Sequence, residues 1–124
     1  MVIKIDFQSD EALYIQLRNQ IILGIATSTL REGDVLPSVR QLAEDIGINM
    51  HTVNKAYSVL RQEGFVTIDR RRGAIVSLDV DKLQALDEMQ KNLRVLLAKG
   101  RCKNITRQET HDMVDEIFDG YDDK

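Results

Sequence analysis

The stretch Leu36-Pro37-Ser38-Val39-Arg40-Gln41-Leu42-Ala43-Glu44-Asp45-Ile46-Gly47-Ile48-Asn49-Met50-His51-Thr52-Val53-Asn54-Lys55-Ala56-Tyr57 decides how this chain folds. Pro37 cannot sit inside a helix, so a helix has to begin after it. Ser38 followed three residues later by Gln41 fits a capping box, and Val39, Leu42, Ala43 and Ile46 supply one apolar face before Gly47 stops the helix after two turns. Asn49 is a good N-cap for the next helix, whose Val53, Ala56, Tyr57 and Leu60 form a stripe to be buried and which Gly64 terminates. The opposite face carries His51, Thr52, Asn54, Lys55 and Ser58. Two short helices joined by the tight link Gly47-Ile48 have the spacing of a helix-turn-helix.

Toward the N-terminus, a β-prone start at Val2-Ile3-Lys4-Ile5 precedes a helix that Asp10 can cap. Leu13, Leu17, Ile21 and Ile25 recur every four residues and carry that helix to about Ser28. Residues 29–37 contain Gly33 and read as a loop with one short strand around Val35. On the C-terminal side the period changes: β-branched runs at 65–68 and 74–78 flank the turn Arg70-Arg71-Arg72-Gly73, a hairpin with a basic tip that turns the motif into a winged helix. Past residue 79, Leu83, Leu86, Met89, Leu93, Leu96 and Leu97 mark a fourth helix ending near Gly100. Thr106 with Glu109 forms a second capping box, and the fifth helix is expected to bury Met113, Val114, Ile117 and Phe118. The expected fold is mainly α: a winged helix-turn-helix DNA-binding domain at 1–78 and a short two-helix C-terminal dimerisation segment with an acidic tail at 79–124.

With 124 residues, 43% of them hydrophobic and 30% charged, the chain allows one compact domain with a helical appendage and excludes a large enzyme barrel. Its longest apolar run, Ile21-Ile22-Leu23, continues through Gly24 only to Ala26, far short of the roughly 20 residues that cross a bilayer. Lys4 and Asp6 precede any apolar segment, so no signal peptide is visible and a cytoplasmic protein is expected. The lone Cys102, with His51 and His111 elsewhere, offers no metal-ligand spacing, and no cofactor is expected. A net charge of −3 argues against a nucleic-acid partner until its distribution is read. Residues 1–78 hold nine basic and nine acidic side chains, while 79–124 hold eight and eleven. Seven acids and no Lys or Arg lie between Glu109 and Asp123, whereas Arg70, Arg71 and Arg72 are the densest basic cluster. A phosphate backbone feels local charge, not the sum.

On an isolated helix those polar side chains would simply be a solvated face, but the whole pattern suits a duplex. The major groove admits a helix whose Thr, Asn and Lys side chains reach phosphates and base edges. Ser38 and Arg40 in the first turn of their helix can clamp one phosphate between backbone N–H groups and a guanidinium. Asn49 and Thr52 divide between capping and phosphate contact, while His51, Asn54 and Lys55 are placed to read bases. Arg70, Arg71, Arg72 and Gly73 can reach the backbone or the adjacent minor groove.

Leu36-Pro37-Ser38-Val39-Arg40-Gln41-Leu42-Ala43, Gly47-Ile48-Asn49, Thr52-Val53-Asn54-Lys55-Ala56-Tyr57, Leu60, Glu63-Gly64 and Arg72-Gly73-Ala74-Ile75-Val76 together resemble the GntR family of bacterial transcription regulators, over residues 10–77. The resemblance implies that Ser38, Arg40, Asn49, Thr52 and the wing around Arg71 to Gly73 lie at the DNA. The short remainder after Leu78 looks like the YtrA-type subgroup, small regulators that dimerise through that segment and often control transporter operons. This chain has Ala12 where relatives often have Pro, Met50 where many have Arg, and Arg71 at the first Gly of the usual wing turn. The expectation is a homodimeric repressor of a two-fold operator on double-stranded DNA, with Leu83, Leu86, Met89, Leu93, Leu96 and Leu97 as the dimer seam. The rival from another class is a winged-helix adaptor that binds protein and has no DNA affinity. No nucleophile with a nearby base and no phosphate-cradling Gly-rich loop can be assembled, which sets an enzyme aside.

Overall fold

The computed structural model describes residues 2–122, in two compact units that divide after Asp79. The first contains α1 (Leu13–Ala26), α2 (Val39–Ile46), α3 (Met50–Gln62) and the antiparallel strands β1 (Val66–Asp69) and β2 (Gly73–Val76). The second contains α4 (Lys82–Cys102) and α5 (Arg107–Asp122). No helix among the described residues is long and apolar enough to cross a membrane.

One core holds the first unit. The stripe expected on α3 is buried in full, and Leu17 and Ile21 of α1 meet it from across the unit, both without solvent exposure. Leu42 and Ala43 of α2 and Val66, Ala74 and Val76 of the hairpin close the remaining sides. Tyr57 buries its ring in this core and donates its hydroxyl to the Pro37 carbonyl at 2.7 Å, tying α3 to the entrance of α2. Burial without a charged neighbour pushes the Tyr57 phenol well above its ordinary range.

The start of the chain differs from the expectation. Asp10 does not cap α1: the helix opens at Ala12 without a side-chain cap, and it ends at Ala26 rather than Ser28, where φ is +62°. Nor does the segment Val2-Ile3-Lys4-Ile5 pair with a strand. Its backbone bonds instead to glutamine amides of α1. The Gln20 oxygen accepts from the Lys4 N–H and its amide donates to the Lys4 carbonyl, while Gln16 does the same to Asp6 and also donates to the Glu11 carbonyl. Each side-chain amide replaces the peptide group of a missing neighbouring strand. With its polar atoms satisfied in this way, Gln16 can be buried among apolar neighbours.

The loop around Val35 does join the sheet, through a bridge to Ile75 and backbone bonds from Leu36 N–H to Ala74 and from Val76 N–H to Asp34. At the end of α3, the Phe65 and Gly64 N–H groups return to the Leu60 and Arg61 carbonyls in a Schellman arrangement. Gly64 is required twice there: its φ is +84°, and a Cβ would come within 2.8 Å of the Asp79 side chain.

In the second unit α4 runs through Gly100 to Cys102. The left-handed residue is Asn104, φ +66°, and the Ile105 N–H bonds to the Gly100 carbonyl, so α4 ends two residues past the stop expected near Gly100. The capping box of α5 is reciprocal: the Glu109 N–H donates to Thr106 Oγ1 and the Thr106 N–H to the Glu109 carboxylate. The Thr106 backbone N–H first, and the Thr106 hydroxyl after it, hold the Glu109 carboxyl below the usual carboxylate range. Met113, Val114, Ile117 and Phe118 are not buried by this chain, because two helices alone have no third layer to cover them. The acidic run continues along α5, and its last member, Asp123, lies outside the described residues.

Candidate nucleic-acid interface

Three elements of the first unit offer polar side chains. At the entrance of α2, Ser38 Oγ accepts the Gln41 N–H at 3.1 Å, and its hydroxyl proton remains to be donated outward. The Gln41 side chain turns to Asp45 rather than back to Ser38, so only half of the expected capping box forms. Arg40 is exposed one residue into the helix. Gly47, left-handed at φ +71°, then turns the chain into α3.

Asn49 is the N-cap of α3: its side-chain oxygen accepts the His51 N–H at 2.7 Å, leaving the amide NH₂ to face outward. Capping therefore leaves the amide donors of the same side chain uncommitted. His51 and Asn54 are exposed, Thr52 is half-buried, and Met50 is half-exposed beside Arg40. Lys55 is exposed, and its ammonium sits 4.1 Å from the ring centre of Tyr14 on α1, a cation–π contact.

The wing is built by Asp69. Its Oδ1 accepts from the backbone N–H groups of Arg71 and Arg72 at 2.8 and 3.1 Å, and Oδ2 receives the Arg72 guanidinium at 3.3 Å. The two backbone bonds, Arg71 first, hold this carboxyl below the usual range. Asp69 and Gly73 face each other across the hairpin, so Arg70, Arg71 and Arg72 are the loop. The positive φ, +87°, falls on Gly73; Arg71 needs no glycine geometry.

A groove of about 450 Å³ brings together Ser38, Asn54, Arg72 and Gly73, one or two from each element. Arg40 and Met50 line a second depression at the turn between the helices. Thr52 and Lys55 line neither, and Arg70 and Arg71 stand exposed at the wing tip. Ser58 and Arg61 also line the first groove, and neither was singled out as a contact from the sequence. The signal was present: Asn54, Ser58 and Arg61 are spaced i, i+4, i+7 and share one helix face.

The family model for bacterial regulatory proteins of the gntR family matches residues 10–76. The HTH-type transcriptional repressor YtrA of Bacillus subtilis is 30% identical over 119 residues, covering 94% of this chain and 92% of that protein. Among solved structures, a GntR-family transcription factor YtrA from Sulfolobus acidocaldarius is 36% identical with a TM-score of 0.59, covering 95% of this chain and 97% of that one. A transcriptional antiterminator from Listeria monocytogenes is 26% identical with a TM-score of 0.85, covering 94% and 90%.

Proposed function

The chain belongs to the GntR family of bacterial regulatory proteins, transcriptional regulators and not enzymes, and from that premise we propose that it is a sequence-specific repressor that binds a two-fold DNA operator as a homodimer. The observation that carries this reading is the convergence of the α2 entrance, the exposed flank of α3 and the wing on one groove with arginines at its edge. Such a surface can offer a capped helix terminus to a phosphate, an amide to a base edge and guanidinium groups to the flanking backbone. Ser38, Arg40, Arg70, Arg71 and Arg72 position the protein; Asn54 and His51 read bases, with Asn49 donating its free amide. Lys55 contacts DNA only by leaving Tyr14.

The second unit supports the dimer. Leu86, Met89, Leu93, Leu96 and Leu97 make one stripe on α4, and all are exposed in the single chain, as are Val114, Ile117 and Phe118 on α5. A contiguous apolar face of this kind marks an association site, and a two-fold assembly covers it with a copy of itself. Leu83, 81% exposed, stands at the margin of the stripe. The repressor role takes support from the Bacillus subtilis relative. We extend the proposal to control of a transporter operon, on the YtrA-type resemblance, and to a cytoplasmic location, which suits a bacterial DNA-binding regulator.

A footprint of the purified protein on the DNA upstream of its own gene tests the proposal. A protected site with two-fold symmetry, and an affinity that falls with rising salt, are expected. Absence of salt-sensitive affinity for duplex DNA would favour the winged-helix adaptor.

A further inference from the structure

Asp69 is an acid placed beside the three consecutive arginines of a surface meant for phosphate. Its two carboxylate oxygens do different things. Oδ1 gathers two backbone N–H groups and shapes the loop, whereas Oδ2 touches only the guanidinium of Arg72. Arg72 also lines the groove shared by Ser38 and Asn54, so the carboxylate engages the one wing arginine that faces the rest of the interface. Among the described residues, Arg70 and Arg71 have no ion-pair partner.

We propose that Asp69 is a specificity-positioning residue of the wing, whose carboxylate folds the arginine loop and withholds Arg72 from indiscriminate phosphate contact. The inference rests on the DNA-binding reading and deepens it. An ion pair between exposed side chains is weak, so a well-placed phosphate can take Arg72 from Asp69. A poorly placed one gains less from the exchange and must also approach a negative charge. Non-specific affinity is set by how many phosphates are neutralised, so holding back one cation lowers it and widens the gap to the true operator. An aspartate carboxyl is ionised at neutral pH, so the restraint is in force there.

Asp69→Asn separates the two oxygens, because an amide oxygen still accepts the Arg71 and Arg72 N–H groups while the charge that holds the guanidinium is gone. Asp69→Ala removes both. Binding of a fluorescent duplex of random sequence is measured by anisotropy across a salt series, with a thermal melt of each variant. Asp69→Asn is expected to bind roughly threefold tighter than wild type and to steepen the log–log salt slope by about 0.9, one further phosphate contact. Asp69→Ala should bind more weakly than Asp69→Asn, since its loop is no longer shaped. In an Arg72→Ala background, Asp69→Asn should leave the slope unchanged. A purely structural carboxylate would instead leave the slope of Asp69→Asn at the wild-type value, or weaken both variants alike; either result overturns the inference. Wild-type protein without salt-sensitive affinity would overturn the DNA reading itself. The loop geometry has its own readout: in the free protein the Arg71 and Arg72 amide resonances should follow one carboxylate titration, which Asp69→Asn abolishes.

Discussion

The two units use similar apolar side chains to opposite ends. In the first, Leu17, Ile21, Val53 and Leu60 reach zero exposure because α1, α2, α3 and the hairpin surround one centre. In the second, α4 has no buried residue although its leucines are spaced as regularly as those of α1. Periodicity states which face of a helix is to be covered; only the number of layers around it decides whether its own chain can cover it. The first unit closes its own core, and the second leaves its apolar stripe exposed in the single chain.

The largest effect expected from breaking this contrast lies in the finished core. Leu60→Ala removes a side chain packed on all sides and should cost about 2–5 kcal/mol of unfolding free energy in chemical denaturation, by an amount independent of protein concentration. Leu93→Asp should leave the circular dichroism of the first unit unchanged and convert dimer to monomer by light scattering, a loss of about 2 kcal/mol or more of association energy from forfeited burial and a charge set in an apolar seam. A Leu93→Asp protein that stays dimeric would remove the seam from α4.

Within the first unit, Tyr14→Leu should lower stability by roughly 0.5–1 kcal/mol, the worth of an exposed cation–π contact, and release Lys55. Its affinity for random duplex should hold or rise, whereas Lys55→Ala loses the same stability without that gain. If both variants weaken DNA binding equally, Lys55 acts on DNA through its place on Tyr14. The smallest effect belongs to the second unit. Glu109 has its carboxyl depressed by the capping box, so its contribution is complete above the ordinary carboxylate range and is lost as pH falls through the lowered value. An acid titration of helicity should show a step in wild type that Glu109→Gln, which keeps a box without the charge, lacks.

Much of the fold was legible because its signals are local. Ser38, Asn49, Gly47, Gly64 and the Thr106–Glu109 pair act within four residues of themselves, and the elements they delimit lie within a few residues of where the sequence puts them. The misses have one physical source. Asp10 lies two residues before the Ala12 cap position of α1, and the β-prone segment before it found glutamine amides of that helix instead of a strand. Both were choices among locally acceptable partners that non-local geometry made.

The same division holds for the candidate interface. Sequence alone determined the order of helix, turn, helix and wing, the polar face of α3 and the basic loop, since these follow from period, caps and charge along the chain. Tertiary structure alone decided that Lys55 rests on Tyr14, that Arg61 joins Ser38, Asn54 and Arg72 around one groove, and that one oxygen of Asp69 shapes the wing while the other holds an arginine. Those outcomes depend on which side chains are brought within a few ångströms by packing, and a one-dimensional pattern carries direction and period but not that distance.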